Sequence, residues 1–279
     1  MVVTLIGAGG KMGCRITDHL SKSEHEVRYV ETDEQKTGEL TKRGVSSTPM
    51  SNAVEGSDII ILSVPDVELE RISHELAPLM KSGSMLMVLD ASAAYAGELP
   101  KRSDISIFVT HPCHPPIISD ETDPEVRKEW HGGIRAKQSI VCALMQGPEE
   151  DYQKGEAIAR SIFAPVMRSH RVTIEQMAIL EPAMAETITF TLMVIIKEAL
   201  EEAIKAGVPE EAATDFMLGH MNSSMWVLFG GIGDYKELVS DGALKAVEMS
   251  KKEILKSEWR KVFKPENVYK QVKGITKWE

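Results

Sequence analysis

The residues of this chain that could do chemistry begin with the turn Gly7-Ala8-Gly9-Gly10-Lys11-Met12-Gly13, which follows an apolar run at 2–6. Glycines in such a turn let backbone N–H groups approach a pyrophosphate at a helix N-terminus, where side chains would block it. The third glycine of a G-x-G-x-x-G fingerprint falls on Met12, and Gly13 comes one step later. A second apolar run, at 27–30, ends in Glu31. A carboxylate at that strand end accepts hydrogen bonds from the ribose hydroxyls of NAD and repels the 2′-phosphate of NADP. Thr32, Asp33 and Glu34 follow it, no arginine adjoins it, and Lys36 is the one base near it. NAD is therefore the expected cofactor. Its expected contacts are Gly7, Gly9, Gly10, Lys11, Met12, Gly13 and Glu31, with Val64, Pro65 and Asp66 at the end of a third strand.

The stretch Thr110-His111-Pro112-Cys113-His114-Pro115-Pro116 packs two histidines and three prolines into seven residues directly after another strand. Proline fixes φ and keeps such a loop from relaxing. Imidazole suits the removal of a hydroxyl proton as hydride leaves, so His111 and His114 are candidate catalytic groups. A rigid loop whose histidines merely cap a strand end is the plainer reading. Further along, Glu181 and Glu186 interrupt an apolar helical run. Five residues apart on an α-helix, they point in directions about 140° different, so at most one faces a given crevice. A His–Glu pair drawn from these residues would either hold a divalent ion or act as a base and its orienting acid. His220 and Asn222 are further polar candidates on a helix, with a structural role as ready an explanation as substrate contact.

The elements that must position these groups follow from hydrophobic periodicity. Apolar runs at 2–6, 27–30, 59–64, 85–89, 105–109, 139–144 and 166–172 read as strands, separated by helical runs such as 67–80 and 149–162. Strands alternating with helices predict an N-terminal Rossmann domain, a doubly wound and mostly parallel α/β sheet. Ligands of such sheets lie outside the carboxyl ends of the strands, where Glu31, Pro65-Asp66, Asp90-Ala91-Ser92 and His111 all fall. From Ile174 onward strand signals nearly vanish. Residues 175–206 read as one long helix kinked at Pro182, with apolar positions recurring every three or four residues and Gly207 at its end. Helices at 209–218 and 241–255 follow. The expected domains are therefore 1–173, binding NAD, and 174–279, an all-α domain for substrate and dimerisation.

Size and composition narrow the class. At 279 residues the chain accommodates two ordinary domains, and its formal net charge of −10, without a basic cluster, argues against nucleic acid as a partner. Cys14, Cys113 and Cys142 leave an odd thiol over and have no paired spacing, which suits a reducing compartment and excludes a zinc finger. The chain enters a strand at once, so no secretory leader is expected. The longest apolar run, at 188–196, is too short to span a bilayer and is interrupted by threonines. A cytoplasmic enzyme with no membrane partner is expected. The long apolar helix carries more hydrophobic surface than a small helical domain covers alone, which predicts a homodimer.

With these residues in hand, the chain resembles the D-apionate oxidoisomerase family, within the wider set of β-hydroxyacid and 6-phosphogluconate dehydrogenase-like proteins. The resemblance covers nearly the whole chain. It rests on GAGGKMG, HPCHPP, AKQSIVCALMQGPEE at 136–150, VTIEQMAILEPAMAET at 172–187 and LGHMN at 218–222. Departures concentrate at 223–236. The resemblance implies NAD-dependent oxidation of a branched sugar acid at the hydroxyl beside its carboxylate, then an acyloin-type rearrangement from D-apionate to 3-oxo-isoapionate. A divalent metal chelated by the 2-oxo acid would aid that second step, which gives the pair His114 and Glu186 a purpose as ligands. Two other readings stay open. One is a plain NAD-dependent hydroxyacid dehydrogenase of the prephenate or 3-hydroxyacid type; the other is a non-catalytic NAD(H)-binding sensor.

Overall fold

The computed structural model describes residues 1–277. Its centre is explained by composition. Strands β3 (Ile59–Leu62) and β4 (Met85–Val88) are apolar at every position and buried at every position. A strand covered by helices on both faces needs that composition. Alternate side chains feed two cores. Ile60, Leu62, Leu86 and Val88 pack with Leu69 and Leu76 on one face. Ile59, Ile61, Met85 and Met87 pack with Ile16, Leu20, Ile158 and Ile162 on the other.

The sheet has seven strands in the order β2-β1-β3-β4-β5-β6-β7, where β1 is Val2–Ile6, β2 Glu26–Val30, β5 Ser106–Pro112, β6 Gln138–Gln146 and β7 Val166–Arg171. Every pairing is parallel except β5 with β6. The doubly wound sheet expected from the alternating pattern is therefore present, with one antiparallel step. The chain runs from β1 outward to β2 and then crosses back to β3. The topological switch point thus lies between β1 and β3, where open α/β sheets bind their ligands.

The first compact unit comprises Met1–Pro116, Glu121–Pro182 and Val268–Glu279. This differs from a simple division after Thr173. The closing helix, Pro265–Thr276, begins in the second unit and buries Val268 and Val272 in the first. There Lys273 Nζ reaches the buried Glu98 carboxylate at 2.7 Å, and the Thr276 hydroxyl donates to the same oxygen at 3.1 Å. Sequence reading assigned no helix to that stretch.

The second unit comprises Ile117–Asp120 and Ala183–Asn267 and is helical, with helices Thr191–Lys205, Glu210–Phe229 and Asp241–Ile254. Within Ala183–Asn267 only Ala183 and Ala213 are buried. The helix Glu210–Phe229 runs beyond its expected end at Leu218 and takes in part of the divergent 223–236 segment.

The expected long helix is continuous in the chain but not uniformly α. Ile174–Ala178 is α-helical, Ile179–Phe190 follows a wider π-helical path, and Thr191–Lys205 is α-helical again. Pro182 lies in the wide stretch. Proline supplies no N–H and its ring crowds the preceding turn, and a wider turn relieves both. The Thr189 hydroxyl bonds the carbonyl five residues back, on Met184, at 2.9 Å. One expectation is corrected here. Joined in this way, Ile174–Lys205 is a 32-residue helix containing an 18-residue stretch of mean hydropathy 1.6, long and apolar enough to cross a membrane, and 11% of that stretch is buried. The apolar run at 188–196 was only its middle.

Candidate active site

The glycine turn closes over the switch point. Gly7 has φ +77°, and a Cβ there would lie 2.3 Å from the Ser63 carbonyl oxygen at the end of β3. Gly13 is the tighter position: its Cβ would lie 2.0 Å from the Gly7 carbonyl oxygen. The third glycine of the fingerprint is thus Gly13, one residue beyond the usual spacing, because there the helix Lys11–Leu20 packs against the turn. Gly10 precedes that helix in extended conformation, and no side chain caps its first N–H groups. Such uncapped donors form an anion site. Val64 lies against Gly7, with Pro65 and Asp66 following to open the helix Asp66–Leu76.

Glu31 is built into the same turn. Its Oε2 accepts the Gly9 N–H at 3.1 Å, and its Oε1 accepts the Thr32 and Asp33 N–H groups at 2.9 and 3.1 Å. The Ser47 hydroxyl accepts the Glu31 N–H and donates to the Glu31 carbonyl, both at 2.9 Å, so the backbone that carries the acid is pinned.

The histidines gather where β4 and β5 end. The His111 ring faces the Leu89 carbonyl through Nδ1 at 2.8 Å. A carbonyl only accepts, so Nδ1 carries the proton and Nε2 presents a lone pair when the ring is neutral. Burial lowers the His111 pKa and favours that neutral ring, against the opposing pull of Asp90 and the Leu89 carbonyl. Nε2 lies 3.2 Å from Glu181 Oε1. Asp90 accepts the Ser92 N–H and is hydrogen-bonded to Glu181. Burial opposes ionisation of Asp90, but these bonds outweigh it and hold its carboxyl below the usual range. Donor atoms of Asp90, His111 and Glu181 lie within 4.8 Å of one another.

His114 has φ +59°, the one non-glycine residue with positive φ among the described residues. That backbone costs about 1 kcal/mol or more and persists only where its surroundings fix it; here Pro115 and Pro116 follow directly. Its Nδ1 meets the His131 carbonyl at 3.2 Å, which again leaves Nε2 as the lone-pair nitrogen. Burial lowers its pKa against the opposing pull of the His131 carbonyl, and the charges of His131, His111 and Arg15 nearby also push it down. The His114 and His131 rings stand edge to face, 4.4 Å apart, and His111 and His114 meet likewise at 6.0 Å.

The structure brings His111 and His114 to within ring contact of each other and adds partners that the sequence did not single out. Glu181 meets His111. Glu186 is exposed in the second unit. Asp90 was visible as a strand end but was given no role. His131 had no signal beyond its place in Trp130-His131-Gly132-Gly133, where both glycines have positive φ. His220 stacks on Phe216 at 3.9 Å and bonds the Phe216 carbonyl, as a helical residue four positions on does. Asn222 is exposed. Cys113 is exposed, while Cys14 and Cys142 are buried, with burial pushing both thiols up.

A glycine turn at the β1/β3 switch point and a histidine cluster at the next strand ends define an NAD-binding dehydrogenase fold. Residues 2–101 match the NAD binding domain of 6-phosphogluconate dehydrogenase, and residues 119–276 match the C-terminal domain of decarboxylating phosphogluconate dehydrogenase. The chain is 46% identical to a D-apionate oxidoisomerase from Cupriavidus necator, over 98% of this chain and 99% of that protein. It is 45% identical to one from Rhizobium rhizogenes, over 99% of each. A solved Cupriavidus necator structure, a semialdehyde dehydrogenase NAD-binding protein in complex with calcium and NAD, superposes with a TM-score of 0.95 at 45% identity, covering 99% of both chains. The chain belongs to the D-apionate oxidoisomerase family.

Proposed function

We propose that this chain is an NAD-dependent oxidoisomerase that converts the branched sugar acid D-apionate to 3-oxo-isoapionate. The observation that carries the reading is the near-full-length similarity to D-apionate oxidoisomerases of two bacteria. NAD, when bound, accepts the hydride from the carbinol carbon beside the carboxylate. His114 takes the hydroxyl proton at Nε2, the nitrogen that its Nδ1 contact with His131 leaves unprotonated. The strained backbone at His114 supports this role, because a fixed imidazole spends little entropy on alignment. In the second step the hydroxymethyl group moves with its bonding pair from the neighbouring carbinol carbon to the new carbonyl carbon. The carbinol oxygen loses its proton as that carbon becomes a ketone, and the former carbonyl oxygen gains one, so the step is redox-neutral. Glu186 enters the proposal through the family resemblance, as a group whose loss stops turnover.

The acid at Glu31 supports NAD over NADP, since its carboxylate occupies the mouth of the phosphate-binding turn. A homodimer is the proposed assembly. Helices Thr191–Lys205 and Asp241–Ile254 bury no residue, and Phe190, Phe216 and Phe229 are each about two-thirds exposed or more. Helices that hide so little apolar surface are not held by their own core, and a second copy of the chain is the one partner present wherever the chain is. The same cover suits the apolar helix Ile174–Lys205. Three free thiols fit a cytoplasmic setting.

The test is NAD reduction with D-apionate, followed by NMR of the product. A rearranged carbon skeleton supports the proposal. An oxidised but unrearranged product identifies a plain hydroxyacid dehydrogenase. NAD binding without turnover of any branched or straight sugar acid identifies a sensor.

A further inference from the structure

A guanidinium beside the histidines has no acid paired to it. Arg15 lies one turn into the helix Lys11–Leu20 and is half-buried, yet among the described residues it makes no hydrogen bond and no ion pair. It is held instead by an aromatic face, with its Cζ 5.9 Å from the centre of the Trp130 ring. A guanidinium fixed by stacking keeps its five N–H donors unspent. Trp130 is itself 77% exposed, so the stack is not part of a core.

The rings continue from there to the proposed base. Trp130 meets His131 at 4.9 Å, and His131 meets His114 at 4.4 Å. Burial keeps both histidines below the usual imidazole range, and the Arg15 charge also pushes each down. The loop that carries Trp130 and His131 is fixed to the same helix one turn further on, where the His19 ring bonds the Gly133 carbonyl at 2.8 Å. Arg15 and His19 are four apart and so share one helix face. The Glu129 carboxylate closes the loop by accepting the Arg135 and Ala136 N–H groups, both at 2.8 Å. Guanidinium, indole and imidazoles thus form one wall, all within the first unit. A cation without a paired acid, beside imidazoles kept from carrying charge, draws an anion.

We infer that Arg15 binds the carboxylate of the substrate, a 2-hydroxy acid whose hydroxyl proton His114 takes. The planar fork grips a carboxylate through two parallel hydrogen bonds, a match that a hydroxyl does not offer. That carboxylate is one bond from the carbon that loses hydride, so the residue that holds it also aligns the hydroxyl with the His114 ring. Arg15 then selects sugar acids over neutral sugars of the same skeleton. The inference rests on the proposed hydroxy-acid chemistry and adds the residue that recognises the acid.

The test is binding rather than turnover. The full chain, saturated with NADH, is titrated with D-apionate, with its neutral counterpart D-apiose, or with D-glycerate, while nucleotide fluorescence is followed. Wild type is expected to bind D-apionate at least about 10-fold more tightly than D-apiose. Arg15→Met, which keeps a stem against Trp130 and removes the charge, should weaken D-apionate at least about 10-fold and leave D-apiose and NADH within about 2-fold. Arg15→Lys should recover part of the loss, since charge returns without the fork. Unchanged D-apionate affinity in Arg15→Met would overturn the inference. So would an equal loss of NADH affinity, which would assign the guanidinium to the cofactor's phosphates. A wild type that binds neither acid more tightly than D-apiose would overturn it as well. Arg15-dependent binding of D-glycerate without binding of D-apionate would uphold the inference and remove the oxidoisomerase reading.

Discussion

Gly9 donates its backbone N–H to the Glu31 carboxylate at 3.1 Å, so the glycine turn and the acid proposed to face the ribose are one connected feature. A substitution at Glu31 should therefore change cofactor choice and not merely a surface charge. Wild type should favour NAD over NADP by at least about 10-fold in kcat/KM, and Glu31→Arg should narrow or invert that ratio. Steady-state rates with both cofactors check this. Equal efficiency of the wild type with the two would remove Glu31 from the ribose.

His114 should be the base of the oxidation. His114→Ala is expected to lower kcat by about 10²-fold or more while NADH affinity stays within a few-fold, since the glycine turn is untouched. Glu186→Gln is expected to do the same. Stopped-flow hydride transfer and fluorescence titration with NADH separate the two quantities. Normal turnover in either variant would strike that residue from the mechanism.

The helical unit should be held by a second copy. Sedimentation at micromolar concentration should give twice the 30.8 kDa chain mass. Phe216→Asp combined with Phe229→Asp should shift the mass toward one chain or lower the melting temperature steeply, because two large exposed apolar groups would lose their cover. A wild type that sediments as a single chain would overturn the assembly.

Asp58 ties together the starts of neighbouring strands β1 and β3: its carboxylate accepts the Val2 N–H at 2.8 Å and Lys81 Nζ at 2.6 Å. Lys81 and then the Val2 N–H hold its carboxyl below the usual range. A lowered native pKa adds stability above the unfolded value of about 3.9, and that stability is lost as pH falls through the native value. Asp58→Asn should therefore cost about 1 kcal/mol at pH 7, or about 2–4 °C in melting temperature. The gap should close in acid, and thermal melts at pH 7 and pH 3 test it. A gap of equal size at both would mean that the contact does not act through its charge.

Much of the fold was legible because its signals are local. Buried parallel strands announce themselves as unbroken apolar runs, and Ile59–Leu62 and Met85–Val88 could hardly be anything else. The glycine turn was legible because a chain folded so tightly excludes side chains; a Cβ at Gly13 would lie 2.0 Å from the Gly7 carbonyl oxygen. His111 and His114 were legible for a similar reason, since prolines fix their loop. What sequence could not decide was which acid meets His111. Glu181 and Glu186 share one helical run, and α-helical geometry sets them about 140° apart without saying which faces inward. Pro182 turns that stretch π-helical, so even the angle between them depends on a path chosen by packing. Asp90 and His131 likewise become partners of the site only when strand ends and loops distant in the chain converge. The helix Pro265–Thr276 returns to the first unit for the same kind of reason. Its amphipathic pattern says that Val268 and Val272 must be covered, but only the folded chain supplies the surface that covers them and the buried Glu98 that Lys273 neutralises.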